Sequence, residues 1–131
     1  MINAAALLIT ALLFGGMTLF SFGFAPFLFS ALPSDTTRTL IRRAFPHFYL
    51  FVIATAAAAG LLALSGDELS GGALVAIALT AVLARQVLMP AINRATDAGE
   101  KRHFARLHGA SVMLTLIHIV LSGGVLLRLA Q

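Results

Sequence analysis

The chain has 131 residues, of which 60% are hydrophobic and only 11% are charged. Soluble domains carry about 25% charged residues, and a domain of this length cannot bury so much apolar surface. The composition therefore excludes an ordinary soluble protein and predicts a single all-α domain, residues 1–131, with the lipid bilayer as its solvent.

The formal net charge is +4, and the chain contains no cysteine. Most of the Lys and Arg residues lie in two short connections rather than on one polar face. This distribution favours anionic lipid headgroups over nucleic acid as their partner. The absence of cysteine excludes disulfides, thiolate metal sites and cysteine nucleophiles.

Four apolar stretches are long enough to cross the membrane, at about 3–31, 45–65, 72–93 and 103–129, since a hydrocarbon core of about 30 Å takes about 20 residues. They predict an up-down bundle of four transmembrane helices. The first stretch lacks the basic flank of a signal peptide and is about twice as long as a signal peptide's apolar region, so we expect it to be retained.

A short cytoplasmic amphipathic helix is predicted between the first two spans. Pro33 ends the first span, and Ser34 or Asp35 is expected to cap a polar helix that runs to Arg43. Pro46 is then expected to open the second span.

The basic residues of the connections predict the orientation. Loop one contains Arg38, Arg42 and Arg43, and loop three contains Arg94, Lys101, Arg102 and Arg106. The connection between spans two and three carries Asp67 and Glu68 but no base. Short-loop Lys and Arg set the topology, so loops one and three should be cytoplasmic and both termini outside. We expect the inner membrane of a bacterium, with periplasmic termini.

Arg85 is the most informative residue, because a charge inside a membrane span costs at least a few kcal/mol. It lies roughly 12 Å inward from Asn93, and His108 lies at a similar depth, roughly 9 Å inward on span four. No span contains a carboxylate, so the partners of Arg85 must be neutral groups, water, a lipid phosphate or a bound anion. The alternative is that Arg85 extends along the lipid to the interface.

The predicted ligand-binding cluster is Arg85, His108, Ser111, Tyr49 and Asn93. Pro90 removes a backbone N–H and frees the carbonyl of Gln86, which indicates a kink made for packing or, alternatively, for lining a ligand cavity.

No metal site or cofactor is predicted, although His108 and His118 are weak candidates for metal ligation. They lie about 15 Å apart and roughly 80° apart around one helix, so they cannot share an ion. Only His108 with His47 could approach a bis-histidine haem site. His118 is expected to bond a neighbouring carbonyl or Thr80. Ser, His and carboxylate residues do not converge at one depth, so no catalytic site is predicted.

Several motifs, spread over nearly the whole chain, resemble those of the small four-helix membrane family typified by transmembrane protein 205. They are Gly15-Gly16-Met17, Phe20-Ser21-Phe22, Ala25-Pro26-Phe27-Leu28-Phe29, Leu32-Pro33, Phe45-Pro46-His47-Phe48-Tyr49, Pro90-Ala91-Ile92-Asn93 and Phe104-Ala105-Arg106-Leu107-His108-Gly109-Ala110-Ser111. The resemblance implies a four-helix bundle without an agreed biochemical activity, and by analogy a site lined by Arg85, His108 and Ser111. It also implies a distant similarity to copper-resistance membrane proteins and to a haem-pathway oxidase, but this chain has no histidine in span one.

The leading functional hypothesis is a non-enzymatic accessory or interaction subunit of a larger membrane complex. Small residues such as Ala54 and Ala58 in span two provide surfaces for close helix packing. The alternative is a small-molecule, anion or metal transport or resistance protein, in a homo-oligomer, with a site around Arg85 and His108. A third hypothesis is a haem-binding redox protein.

Overall fold

Four long helices make up almost all of the chain in the computed structural model, which describes all 131 residues. They are α1 (Ile2–Ala31), α2 (Ser34–Ala63), α3 (Glu68–Asp97) and α4 (Lys101–Leu129), and there are no strands. Each helix is long and apolar enough to cross a membrane. The prediction of an all-α integral membrane protein with four transmembrane helices is therefore confirmed.

The helices form a ring in chain order. α2 packs against α1 and α3, and α4 packs against α3 and α1. Because the connections are short, neighbouring helices run antiparallel. Connections 32–33 and 98–100 therefore lie at one end of the bundle, called here the basic end, and both termini lie with connection 64–67 at the other, called here the terminal end.

The polar segment between the first two spans is helical, but it is not a separate helix. α2 begins at Ser34 and continues through Pro46 to Ala63. A proline inside a helix removes one backbone hydrogen bond and can bend the axis, but in this chain it does not divide α2 in two. The predicted amphipathic helix is therefore the first part of α2.

The corner between α1 and α2 is held by a residue that the sequence analysis did not select. Neither Ser34 nor Asp35 caps α2 with its side chain, and Pro33 occupies the N-cap position. The hydroxyl of Thr37, which is fully buried, instead donates to the carbonyl of Leu28 over 3.0 Å. This bond fixes the start of α2 against the end of α1.

α1 and α3 each contain one π-helical segment that precedes a proline. The segments are Leu19–Phe24, before Pro26, and Ala84–Leu88, before Pro90. In the second segment the backbone N–H of Met89 donates to the carbonyl five residues earlier. The wider turn rotates every later side chain relative to a regular α-helix. Positions beyond each segment therefore face directions that simple α-helical counting does not give.

Small residues let the helices approach closely, above all between α2 and α3 near the terminal end. A Cβ atom added to Gly71 would lie 2.7 Å from the backbone nitrogen of Leu64, and one added to Gly60 would lie 3.1 Å from that of Val75. α1 and α2 also meet closely, because the ring of Phe51 rests directly on Gly16. Seven of the 16 residues in the hydrophobic core are alanines, which keeps the bundle narrow.

Candidate functional site

A cavity of about 650 Å³ lies at the basic end, mainly between α2, α3 and α4; it is called here the basic-end cavity. Small-molecule sites in proteins have volumes of about 300–1,000 Å³. Its lining includes Arg38, Arg42, Phe45 and Tyr49 of α2, Asn93 of α3, Glu100 before α4, and Lys101, Phe104, His108 and Ser111 of α4. The size and mixed character of this lining make it the strongest candidate for a binding site.

A hydrogen bond across the bundle forms the inner end of this cavity. The hydroxyl groups of Tyr49 and Ser111 are 3.0 Å apart, and both residues are buried. They belong to α2 and α4, which face each other diagonally and are not packing neighbours. A bonded pair of hydroxyl groups avoids the cost of leaving either one unpaired in an apolar interior.

Aromatic rings form the walls. The imidazole of His108 stacks on the ring of Phe104, with ring centres 5.4 Å apart and planes inclined by 8°. On the opposite helix, Phe45 lies 5.9 Å from the ring of Tyr49. A ligand in the cavity would therefore meet flat apolar surfaces together with the polar edges of His108 and Tyr49.

The mouth of the cavity carries an excess of positive charge. Arg38, Arg42 and Lys101 line it, against a single acid, Glu100. Arg42 also forms a bidentate ion pair with Asp97 of α3, at 2.7 and 2.9 Å, which neutralises its charge. Arg38 and Lys101 are exposed and outnumber Glu100, so the mouth favours an anion.

Four of the five residues predicted as a ligand site line this one cavity: Tyr49, Asn93, His108 and Ser111. Arg85 does not line it. Its side chain is half-buried, and its Nε donates to the carbonyl of Pro46 on α2 over 3.3 Å. The structure therefore separates Arg85 from His108, which the sequence analysis placed in one cluster.

The other histidines lie apart from the cavity. His118 is buried, and its Nε2 lies 2.8 Å from the hydroxyl of Thr80, one of the two partners expected from the sequence. His47 lines a separate apolar groove between α1 and α2, whose walls include Phe20 and Phe48. His47 thus lines the apolar groove and His108 the basic-end cavity. No group of three or more His, Asp or Glu side chains lies close enough to hold a metal ion.

A second polar cluster lies at the terminal end. The carboxylate of Asp67 accepts a hydrogen bond from Nε of Arg128 at 2.6 Å, and others from the hydroxyl and backbone N–H of Ser70 at 2.7 and 3.2 Å. The bond from Arg128, followed by those from Ser70, lowers the pKa of Asp67 well below its ordinary value. Asp67 also caps the first turn of α3.

Sequence reasoning missed both ion pairs and the aromatic walls. The signal for one pair was available: the predicted topology places the connection containing Asp67 on the same side as Arg128, the only base expected there. The pairing of Arg42 with Asp97 has no comparable signal, because several bases lie in the same two connections.

The sequence model of the family described as Domain of unknown function (DUF4149) matches residues 8–101. This match covers most of α1 and all of α2 and α3. Among curated proteins none matches the chain. Among solved structures none matches it either.

Proposed function

The chain belongs to the DUF4149 family, whose function is unknown, and we propose that it is a non-enzymatic membrane protein that binds an anionic, amphiphilic small molecule in the basic-end cavity. The observation that carries the proposal is the combination, in one cavity of about 650 Å³, of a basic mouth, aromatic walls and a buried hydroxyl pair.

The two chemical characters of the cavity define the ligand. The negative group of the ligand lies at the mouth beside Arg38 and Lys101. Lys101 forms no ion pair, and Arg38 forms only a long one with Asp35, at 4.0 Å with both side chains largely exposed. The apolar body of the ligand lies between Phe45 and Phe104. Asn93 adds an amide that can both donate and accept a hydrogen bond.

Tyr49 makes a direct test available, because the chain contains one tyrosine and no tryptophan. Its ultraviolet emission therefore reports on the inner end of the cavity alone. We expect decanoate, titrated into the protein in dodecylmaltoside micelles, to change this emission saturably. Decyltrimethylammonium has the same chain length and the opposite charge and should leave the emission unchanged.

Neighbouring bases at the start of α4 supply a matched control. Lys101 lines the cavity, whereas the exposed Arg102 does not. Lys101→Gln should weaken decanoate binding several-fold, and Arg102→Gln should not. Equal responses to the two amphiphiles, or equal effects of the two substitutions, would contradict the proposal.

The orientation belongs to the same proposal. Short connections rich in Lys and Arg remain on the cytoplasmic side, so the basic end faces the cytoplasm of a bacterial cell and both termini face the periplasm. The ligand then enters from the cytoplasm. Reporter fusions at the C-terminus, with alkaline phosphatase active and green fluorescent protein dark, are the expected result; the reverse pattern contradicts this orientation.

We also propose that the DUF4149 family is related to the one typified by transmembrane protein 205. The support is the order and spacing of the glycine, proline and phenylalanine motifs, from Gly15-Gly16-Met17 to the helix that contains His108.

A second candidate function is that of an accessory subunit, and the outer face of α2 favours it. Ala54 and Ala58 are four residues apart and exposed, so no helix of this chain covers them. Small residues at this spacing let membrane helices approach closely. A protein partner should copurify with the native chain in mild detergent, and Ala58→Leu should release it. Isolation of the native chain and of the variant only as monomers would contradict this second proposal.

A further inference from the structure

Arg85 presents unused donors at the surface of the bundle. A guanidinium has five N–H groups, and the only hydrogen bond that Arg85 makes is the one from Nε to the carbonyl of Pro46. Every fully enclosed side-chain nitrogen in the structure has a hydrogen-bond partner, so the Nη groups of Arg85, which have none, are not fully enclosed in the bundle. No carboxylate pairs with this residue.

Arg85 reaches towards the basic end to meet its partner. The contacts of Gly60 with Val75 and of Gly71 with Leu64 set the register of α2 against α3. Counting along both helices from these contacts places Arg85 level with about Leu50, one turn deeper than Pro46. The bond to the Pro46 carbonyl therefore draws the guanidinium along the seam between α2 and α3 towards the basic end, as its flexible stem allows.

The level is that of the lipid headgroups. Arg43 is the last charged residue of α2 before its apolar part, and it precedes Pro46 by one turn, about 4.5 Å along the axis. The headgroup layer on each side of the hydrocarbon core is about 5–7 Å thick. The guanidinium of Arg85, held at the Pro46 carbonyl, thus lies close to the boundary where lipid phosphates are found, with the exposed Arg43 on the same edge of α2 as Pro46.

We infer that Arg85, assisted by Arg43, binds the phosphodiester group of an anionic membrane lipid in the seam between α2 and α3. A guanidinium with its Nη groups free matches two phosphate oxygens at once. The seam between α2 and α3 also lets the acyl chains remain in the bilayer. This site uses none of the residues that line the basic-end cavity, so it stands or fails independently of the proposed ligand there.

The test is native mass spectrometry of delipidated protein with added phosphatidylglycerol or phosphatidylcholine. The native chain should retain phosphatidylglycerol preferentially, and Arg85→Gln should weaken this retention about tenfold, the effect of losing one hydrogen bond between charged groups. Arg94→Gln removes an exposed base from the same helix and should change little. Arg85→Lys keeps the charge but loses the two parallel N–H donors of the guanidinium, so an intermediate retention is expected.

Three results would overturn the inference. One is equal retention of phosphatidylglycerol by the native chain and by Arg85→Gln, provided that circular dichroism shows both to be folded. Another is equal loss in Arg94→Gln, which would indicate an unspecific charge effect. The third is displacement of the lipid by millimolar inorganic phosphate, which would make a free anion the ligand. The Tyr49 titration with decanoate should be unaffected by Arg85→Gln, which separates this site from the cavity.

Discussion

The two ends of the bundle are built from the same four apolar helices, yet they are held together by different interactions. At the terminal end, α2 and α3 meet at Gly60 and Gly71 with almost no space between their backbones. At the basic end the helices leave a cavity of about 650 Å³, which is bridged by the Tyr49–Ser111 bond and edged by the Arg42–Asp97 pair. The helices are therefore held together by close backbone packing at the terminal end and by polar contacts at the basic end.

The difference shows that, in this membrane protein, stability and ligand binding depend on different parts of the bundle. Lipid is as apolar as leucine, so helices in a bilayer gain little from burying large side chains and depend on close packing between small ones. A site for a ligand needs the opposite arrangement, with large side chains around an open volume. In this chain the alanine-rich and glycine-rich seam allows the other end to remain open.

The largest loss of stability is expected where two helices are in closest contact. Gly71→Ala places a Cβ 2.7 Å from the backbone of Leu64, so the helices must move apart. We expect destabilisation by about 3 kcal/mol, the upper part of the range for overpacking, because the obstacle is backbone. Unfolding by SDS in dodecylmaltoside micelles, followed by circular dichroism, measures it.

Gly72 supplies the matched control. A Cβ at this position meets nothing within 4 Å, so Gly72→Ala should be neutral or slightly stabilising through its higher helix propensity. If both substitutions had the same effect, close backbone packing would not be what holds the terminal end together.

The next largest effect is expected at the diagonal bond of the basic end. Ser111→Ala leaves the buried hydroxyl of Tyr49 unpaired and should cost about 1 kcal/mol. Tyr49→Phe with Ser111→Ala should cost less than the sum of the single changes, with a coupling energy of about 0.6 kcal/mol, typical of hydrogen bonds between membrane helices. A double-mutant cycle in the same SDS titration provides the value. Strict additivity would mean that the bond does not hold α2 and α4 together.

Depth along the membrane was predictable from the sequence, whereas direction around each helix was not. The sequence offered a neighbouring carbonyl or Thr80 as the partner of His118, and the structure has Thr80, on the adjacent helix. Counting residues from the helix ends placed Arg85 beside His108. Depth does not give the direction in which Arg85 faces around α3, and its Nε bonds to the Pro46 carbonyl instead.

The continuity of α2 through Pro46 was not predicted either. Pro46 indicates the start of a helix when it is considered alone, but the turn before it is already helical. The cavity itself was not predictable either, because its volume depends on how far apart α2, α3 and α4 stand at the basic end. Its polar residues could be selected from depth, and four of them line it.

A smaller effect is expected at the terminal end when the pH is lowered. The pKa of Asp67 is lower in the folded chain than its ordinary value of 3.8, mainly because of Arg128. The stabilisation is therefore fully present above about pH 4, and it decreases as the pH falls below that value. We expect the unfolding midpoint of the native chain to fall over this range more steeply than that of Asp67→Asn. Parallel curves for the two proteins would show that the ion pair contributes nothing.

The smallest effect is expected for the Arg42–Asp97 pair, although its geometry is bidentate. Both side chains are about half exposed, and exposed ion pairs lose in solvent screening and side-chain entropy most of what they gain. Arg42→Gln should therefore leave the SDS unfolding midpoint almost unchanged, and so should the exchange of Arg42→Asp with Asp97→Arg. Because Arg42 borders the cavity, its removal also leaves Asp97 as an unpaired negative charge near the mouth, which should weaken decanoate binding slightly. A loss of stability as large as that of Gly71→Ala would mean that an ion pair, and not the Tyr49–Ser111 bond, holds the basic end together.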